Sequence, residues 1–407
     1  MRIHRDERGQ TILLVAFSLP ILIGFIGIAT DVGALFKDKR TMQTAADAAA
    51  IAGALNYNYG ATVWKAAADA ASATNGYTNG SNGVTVTTPD TPTWPASNYL
   101  GKPDYVEVTI TKSVPTIFLT LFGHPSVTVL ARAVATNGPG TNCVYTGIAT
   151  PGSPPLTGAA LTVTGLMQSG PSAACGLIVD STNSPPMSVA GTLDMKSIGT
   201  VGDCAGSCGG TFTSQPVPNI IPYSDPLAFL PLPPAGSCTN AINVTGGTLS
   251  LFPGCYTTFN ETGANITLSP GTYVINGTGA NGLNFTGGTV SGTGVTFYIN
   301  SGTVAINNTT LNLSAPNDNT LPYNGILFAQ SPSNTTSAVI NTLPTPTIQG
   351  IFYFPAASLT ILNATSGTFY TGFVAQSLIV TGNLTFNSYS SAPGVTSSPL
   401  SSAILVE

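Results

Sequence analysis

The densest group of reactive side chains in this 407-residue sequence is its six cysteines, Cys143, Cys175, Cys204, Cys208, Cys238 and Cys255. Two chemistries suit them, disulfide bonding and metal binding. Cys204-Ala-Gly-Ser-Cys208 is only loosely zinc-like in spacing, and the two histidines, His4 and His124, are remote from it in sequence. An even count in a region that follows an apolar N-terminal run favours disulfides formed after export, with the pairing left open. No metal and no cofactor is predicted. Catalysis is disfavoured by composition: no Lys or Arg follows Lys196 and no His follows His124. A polysaccharide lyase needs a basic group to take a proton or neutralise a uronate, and a hydrolase needs two neighbouring carboxylates. The acids beyond Lys196 are Asp203, Asp225, Glu261, Asp318 and Glu407, none clustered in sequence. No catalytic residue is predicted, and the chain reads as a non-enzyme.

What positions the cysteines begins with residues 11–30. Thr11 to Thr30 carries no charged side chain, and about twenty helical residues cover the roughly 30 Å of a bilayer's hydrocarbon core. A cleaved leader has a shorter apolar region, and the best small-residue cleavage site, Val32-Gly33-Ala34, lies beyond Asp31. A retained transmembrane helix is therefore predicted, with Pro20 tolerated inside it. Arg2, Arg5 and Arg8 before the span balance Lys37, Lys39 and Arg40 after it, so basic residues do not orient it. Composition does. Only 7% of residues are charged, against about 25% in ordinary soluble chains, and Gly (45) and Pro (31) are abundant. The expected arrangement is a cytoplasmic tail at 1–10, a single span in a bacterial inner membrane, and the bulk periplasmic or extracellular.

An alanine-rich helix is predicted over 31–75. Ala45, Ala49 and Gly53 form one small-residue row and Ala46, Ala50 and Ala54 another, with Lys39, Gln43 and Asp47 as a polar row beside them. Such rows let helix backbones approach closely, although alanine propensity alone also explains a helix.

Arg8-Gly9-Gln10, Leu19-Pro20, the segment Gly24-Phe25-Ile26-Gly27-Ile28-Ala29-Thr30-Asp31-Val32-Gly33 and the run from Met42 to Ala54 together resemble the N-terminal module of TadE/TadG-like proteins. These are associated with Flp pilus assembly by the tight-adherence (Tad) secretion system. The resemblance implies a non-enzymatic pilus-assembly component whose partners are the inner membrane and other Tad/Flp proteins. It marks Gly24, Gly27, Asp31, Gly33, Gln43, Ala45, Ala46, Asp47, Ala49 and Gly53 as the helix-packing motif. Pseudopilins of that system are cut after a glycine and carry glutamate at mature position five; with Gly9 as the candidate, that position is Leu14, so the resemblance is to the TadG type, which keeps its anchor.

Beyond Asn75 the period changes to that of strands. Val84 and Val86, then Val106, Val108 and Ile110, then Val127, Val129 and Ala131 alternate with polar residues, a pilin-like β region over 76–136. Phe118 to Gly123 also resembles the TadE/TadG group. Trp64 and Trp94 are expected as packing residues. Residues 137–238 are rich in Gly, Pro and Ser and read as irregular structure held by crosslinks. Within them Asp180-Ser-Thr-Asn-Ser184 loosely resembles the metal-binding motif of von Willebrand factor A domains, but the α/β pattern of that fold does not follow, and a strand ending in an Asx turn is preferred.

Residues 239–407 contain a repeat. Leu249-Ser-Leu-Phe-Pro-Gly-Cys-Tyr256 recurs seventeen residues later from Ile266 and again from Leu283, and Gly325-Ile-Leu-Phe328, Gly350-Ile-Phe-Tyr353 and Gly372-Phe-Val-Ala375 form a second series. The pattern predicts a parallel β-solenoid, with a β-sandwich as the alternative. The fold class is thus mainly β with an N-terminal α-helix. Asn-x-Ser/Thr triplets at Asn243, Asn260, Asn265, Asn276, Asn284, Asn363 and Asn383 are read as turn chemistry. A neutral, amide-rich solenoid also admits a second function, a surface adhesin or carbohydrate-binding module with surface polysaccharide as partner. Nucleic acid is excluded by a net charge of −5.

Overall fold

The computed structural model describes residues 8–407 except 58–60, 104, 140–141, 149–155, 171–174, 205, 221–224, 229, 234–237, 280, 319, 345, 365–367 and 396–397. Most of the tail expected at 1–10, with Arg2, His4 and Arg5, lies outside the described residues. The chain divides into two units, Met1–Gly138 with Ala403–Glu407, and Pro139–Ser402.

In the first unit one helix, α1 (Arg8–Leu55), runs for 48 residues through Pro20 without a break. Its two halves obey different rules. Leu14, Phe17, Ile21, Ile23, Phe25 and Ile26 are each more than half exposed, so the protein leaves these apolar side chains of the first half uncovered. In the second half Met42, Ala45, Ala46, Ala49, Ala50 and Ala54 are fully buried, a stripe at helical spacing. That stripe packs against α2 (Ala61–Thr74) and an antiparallel sheet of β1 (Val84–Thr87), β2 (Tyr105–Pro115) and β3 (Ser126–Pro139). Alternation builds the sheet's inner face from Val106, Val108 and Ile110, all fully buried. A closing strand, Ser401–Leu405, joins the sheet beside β3, so the second unit is an insertion between two neighbouring strands of the first.

The second unit is a parallel β-solenoid, not a sandwich. Its strands stack in register on three faces, and one column shows the stacking: Tyr273, Phe297, Phe328, Phe352 and Phe373 are successive register partners, followed by Val144, Leu177 and Ile198. The phenylalanine rings lie 5.3, 4.9 and 5.5 Å apart along this column, near the spacing of adjacent strands.

The column also shows that coil order is not chain order. The chain enters at the coil of Asn142–Thr146 and Leu161–Ser169, climbs to one tip at Thr211–Phe212, then resumes at the opposite tip with Asn240–Thr245 and climbs in the same direction until Thr368–Ser388 stacks on the coil where it entered. Residues 142–212, read from sequence as irregular, therefore supply coils of the same solenoid. Their strands are two to nine residues long. Between the tips, the described residues of 218–239 form a strap along one outer face. Ile220 bonds Thr200, Tyr353 donates to Asp225 at 2.7 Å, and Tyr323 donates to the Pro231 carbonyl at 2.8 Å. Leu227 is fully buried beneath it among Tyr298, Ile326 and Ile351.

The seventeen-residue repeat is half realised. Leu249 and Leu251 stack on Ile266 and Leu268 as the repeat demands, but the next partner of Ile266 is Val290, while Leu283 stacks on Phe259. The extra residues around Thr278–Asn281, a turn closed by an Asn281 N–H to Thr278 carbonyl bond, lengthen that coil and move the third copy to another face. The second series stacks on successive coils but not residue for residue: a register shift after Ile326, which pairs with Ile351, puts Phe328 on Phe352, and one residue of offset puts Ile351 on Gly372 and Phe352 on Phe373.

Candidate functional site

The residues singled out on α1 separate by partner. Gly27 faces Phe118 so closely that a Cβ there would overlap the ring, and a Cβ on Gly53 would come within 2.9 Å of Val106 and 3.5 Å of Trp64. Ala45, Ala46 and Ala49 lie in the same buried stripe. Gly24 and Gly33 meet nothing within 4 Å and face outward. Gln43 donates to Asp47 and to the Arg132 carbonyl, both at 2.7 Å, fastening the helix's polar row to β3. The small-residue rows thus contact the protein's own second helix and sheet.

Asp31 is 4% exposed at the boundary between the bare and covered halves of α1. Its carboxylate accepts the backbone N–H groups of Ile117, Phe118 and Leu119 at 3.1, 2.7 and 2.7 Å. It thereby satisfies the orphan donors at the start of the 3-10 turn Leu119–Phe122 and pins the β2–β3 connection to the helix. The side chains of that connection point outward: Ile117, Leu121 and Phe122 are 74%, 82% and 62% exposed.

A second polar cluster fastens the closing strand. Arg132 on β3 donates to Glu107 on β2 at 2.7 Å and to Glu407 at 2.6 Å. Ser97 and the Asn98 N–H also donate to Glu407, at 2.8 and 3.2 Å. The Arg132 bond, followed by that of Ser97, holds the Glu407 carboxyl below the usual carboxylate range. Glu107 is 1% exposed although strand alternation assigns it to the outward face; the segment around Thr93, whose N–H it accepts, covers that face. Sequence reasoning missed this cluster, and the one available signal was a lone Glu-Arg pair on adjacent predicted strands. Trp64 is buried as expected. Trp94 is 41% exposed, its ring 5.8 Å from the Arg132 guanidinium, so it is a surface contact and not a core residue.

All six cysteines are paired: Cys143–Cys175, Cys204–Cys208 and Cys238–Cys255. The first ties two coils together, the second closes a loop at one tip, and the third ties the end of the strap to the opposite tip. The carboxylates weighed for catalysis are held by their own neighbours. Burial raises Asp225, which accepts from Tyr353. Burial also raises Glu261, which receives the N–H groups of Ala264 and Thr286. Asp318 takes both donors of Thr320 in a turn. Among the described residues no three of His, Cys, Asp and Glu converge as metal ligands, and Gly176–Val179 before Asp180 is a solenoid strand. Nor do the Asn triplets all lie in turns. Asn243, Asn260 and Asn284 are in-register strand residues whose amides form an outer ladder with 2.8 Å bonds, because identical side chains on stacked coils can each donate to the next.

These features define a class: among the described residues, one helix long and apolar enough to cross a membrane, its second half sealed against a small antiparallel sheet, and a disulfide-linked parallel solenoid inserted in the sequence between two strands of that sheet. The comparisons with known proteins bear on the first part. Residues 9–56 match the model of the TadE/G-like Flp pilus-assembly family, and residues 36–135 match that of the Tad-like Flp pilus-assembly family Tad_C. The matched stretch, under a third of the chain, spans α1, α2 and the sheet through most of β3. The solenoid lies outside both matches. No curated protein and no solved structure matches the chain.

Proposed function

We propose that this protein is a membrane-anchored, exported, non-enzymatic component of Tad/Flp pilus assembly. Thr11–Thr30 stays in the inner membrane, and the sheet and solenoid stand on its outer side. The observation that carries this reading is the coincidence of two kinds of boundary: the family matches end at residue 135, and the compact unit built on α1 is interrupted at Gly138. The assembly module is thus a folded body, and the solenoid is what it presents. The three disulfides support export, since such bonds persist in oxidising compartments. Partners are the membrane and other Tad components, engaged through α1 and the outward faces of Gly24 and Gly33. Deleting the gene should abolish or reduce surface pili and adherence. Restoring the full chain should recover both, and restoring a chain with Ile23→Arg should not. Normal piliation in the deletion strain would refute the assembly role.

The amide ladder favours a second reading, in which the solenoid is a surface adhesin or polysaccharide-binding module. Its exposed rungs offer neutral donors and acceptors suited to sugar hydroxyls. Pili that form normally in the deletion strain while adherence alone is lost would favour this reading over the first.

A further inference from the structure

We propose that the connection Ile117–Phe122 is a membrane-dipping wedge, its apolar tip seated in the lipid surface beside the point where α1 leaves the bilayer. The proposal rests on the reading of Thr11–Thr30 as a retained membrane anchor.

Three large apolar side chains, Ile117, Leu121 and Phe122, project from one short turn with more than three fifths of their surface exposed. From Ser113 to Ala131 the chain has no Asp, Glu, Lys or Arg, so no charge opposes burial of this tip in lipid. The structure fixes its depth. Phe118 lies on Gly27, and Asp31 binds the N–H groups of Ile117, Phe118 and Leu119. At about 1.5 Å per residue, Gly27 is roughly 4.5 Å inside the end of the span at Thr30. Amphipathic elements at a membrane surface seat their apolar side chains at a depth of about 5–10 Å. The contact at Gly27 sets the tip beside a stretch of α1 whose own apolar residues, including Phe25, Ile26 and Val32, are exposed. Lys37, Lys39 and Arg40 follow about 9–14 Å beyond Asp31, at or just outside the headgroup layer, where basic side chains are drawn to anionic lipid. Asp31 is compatible with this boundary because three backbone donors replace its water. The bilayer is chosen over a protein partner as occupant because the turn is held against the anchor helix itself, at Gly27 and Asp31, where that helix leaves the span.

The full chain reconstituted in phosphatidylcholine and phosphatidylglycerol vesicles tests this by quenching of introduced tryptophans with lipids brominated near the headgroup or near the bilayer centre. Leu121→Trp, at an exposed position, should be quenched by shallow bromines about twofold or more beyond the control Ser81→Trp. Ser81 is an exposed residue of the turn after Tyr77, whose hydroxyl lies 2.6 Å from that of Thr41, a helix position about 16 Å beyond Thr30. Phe122→Trp should repeat the result, which guards against a local effect at either site. Ile23→Trp, in the span, should be quenched most by deep bromines. If Leu121→Trp and Phe122→Trp match the control while Ile23→Trp is quenched, the anchor stands and the wedge is overturned. If Ile23→Trp is unquenched as well, both readings fall.

Discussion

The two units of this protein reach stability by opposite means. The anchor unit relies on interactions that occur once: a glycine at a helix crossing, an aspartate over three amides, an arginine between two glutamates. The solenoid relies on repetition, with one phenylalanine above the next and one asparagine above the next. The consequence is a difference in how each tolerates change. In the anchor unit a single substitution removes an interaction that nothing duplicates; in the solenoid it removes one rung of a ladder whose neighbours persist, since repeat stability is close to a sum of coil and interface contributions.

The largest effect should come from breaking the solenoid's inner column. Phe328→Ala empties a fully buried site between rings 5.3 and 4.9 Å away and should cost about 3–5 kcal/mol. Amide exchange should accelerate most in the coils of Phe297, Phe328 and Phe352 and less in coils further away, while the helix and sheet of the first unit keep their protection. Loss of protection in both would show that the two are not separate in energy. Next is Ile23→Arg, a charge near the middle of the span worth about 2.5–3.5 kcal/mol against insertion. The expected result is a protein that leaves the membrane fraction on carbonate extraction with its disulfides incomplete. Gly53→Leu should overpack the contact with Val106 and Trp64 and cost about 1–3 kcal/mol, read as a lower Tm of the anchor unit alone.

The smallest effect is a pH dependence. The Glu407 carboxyl is depressed in the folded state, first by Arg132 and then by Ser97, so its stabilisation is present at neutral pH, above its unfolded-state range. It is lost as the pH falls through the lowered folded value. Exchange at the Val134 amide, which bonds the Glu407 carbonyl at 2.7 Å, should therefore rise on acidification, and Glu407→Gln should flatten that rise. An unchanged acid response in the variant would assign it to other carboxylates.

The contrast between the units also explains what could be read from the sequence. The long apolar helix, the alanine stripe and strands β1 to β3 were legible because each is a local period, although the single helix expected over 31–75 is two, α1 ending at Leu55 and α2 spanning Ala61–Thr74. The solenoid was legible from Gly325 onward because its strands and their repeat are in the same order. Residues 142–212 were not, since strands as short as Thr211–Phe212 carry no measurable alternation and their partners lie far away in sequence, as Val144 does from Phe373. The ladder of Asn243, Asn260 and Asn284 was misread as turns because asparagine's preference for turns is local, whereas its bonding here comes from the coil above. Glu107 and Asp31 show the same limit: each is buried by a segment that no pattern around it announces.

The position at which the chain joins the solenoid has a further consequence. It enters and leaves on neighbouring coils in the interior of the stack, and both tips are free of that junction. A duplication that added one coil at a tip would displace that tip by about 4.8 Å, a distance the strap could match with one or two more residues of extended chain. Pro139 and Ser402 would not move. The length of this solenoid is therefore an evolutionary variable that can drift, coil by coil, while the first unit stays under its own selection.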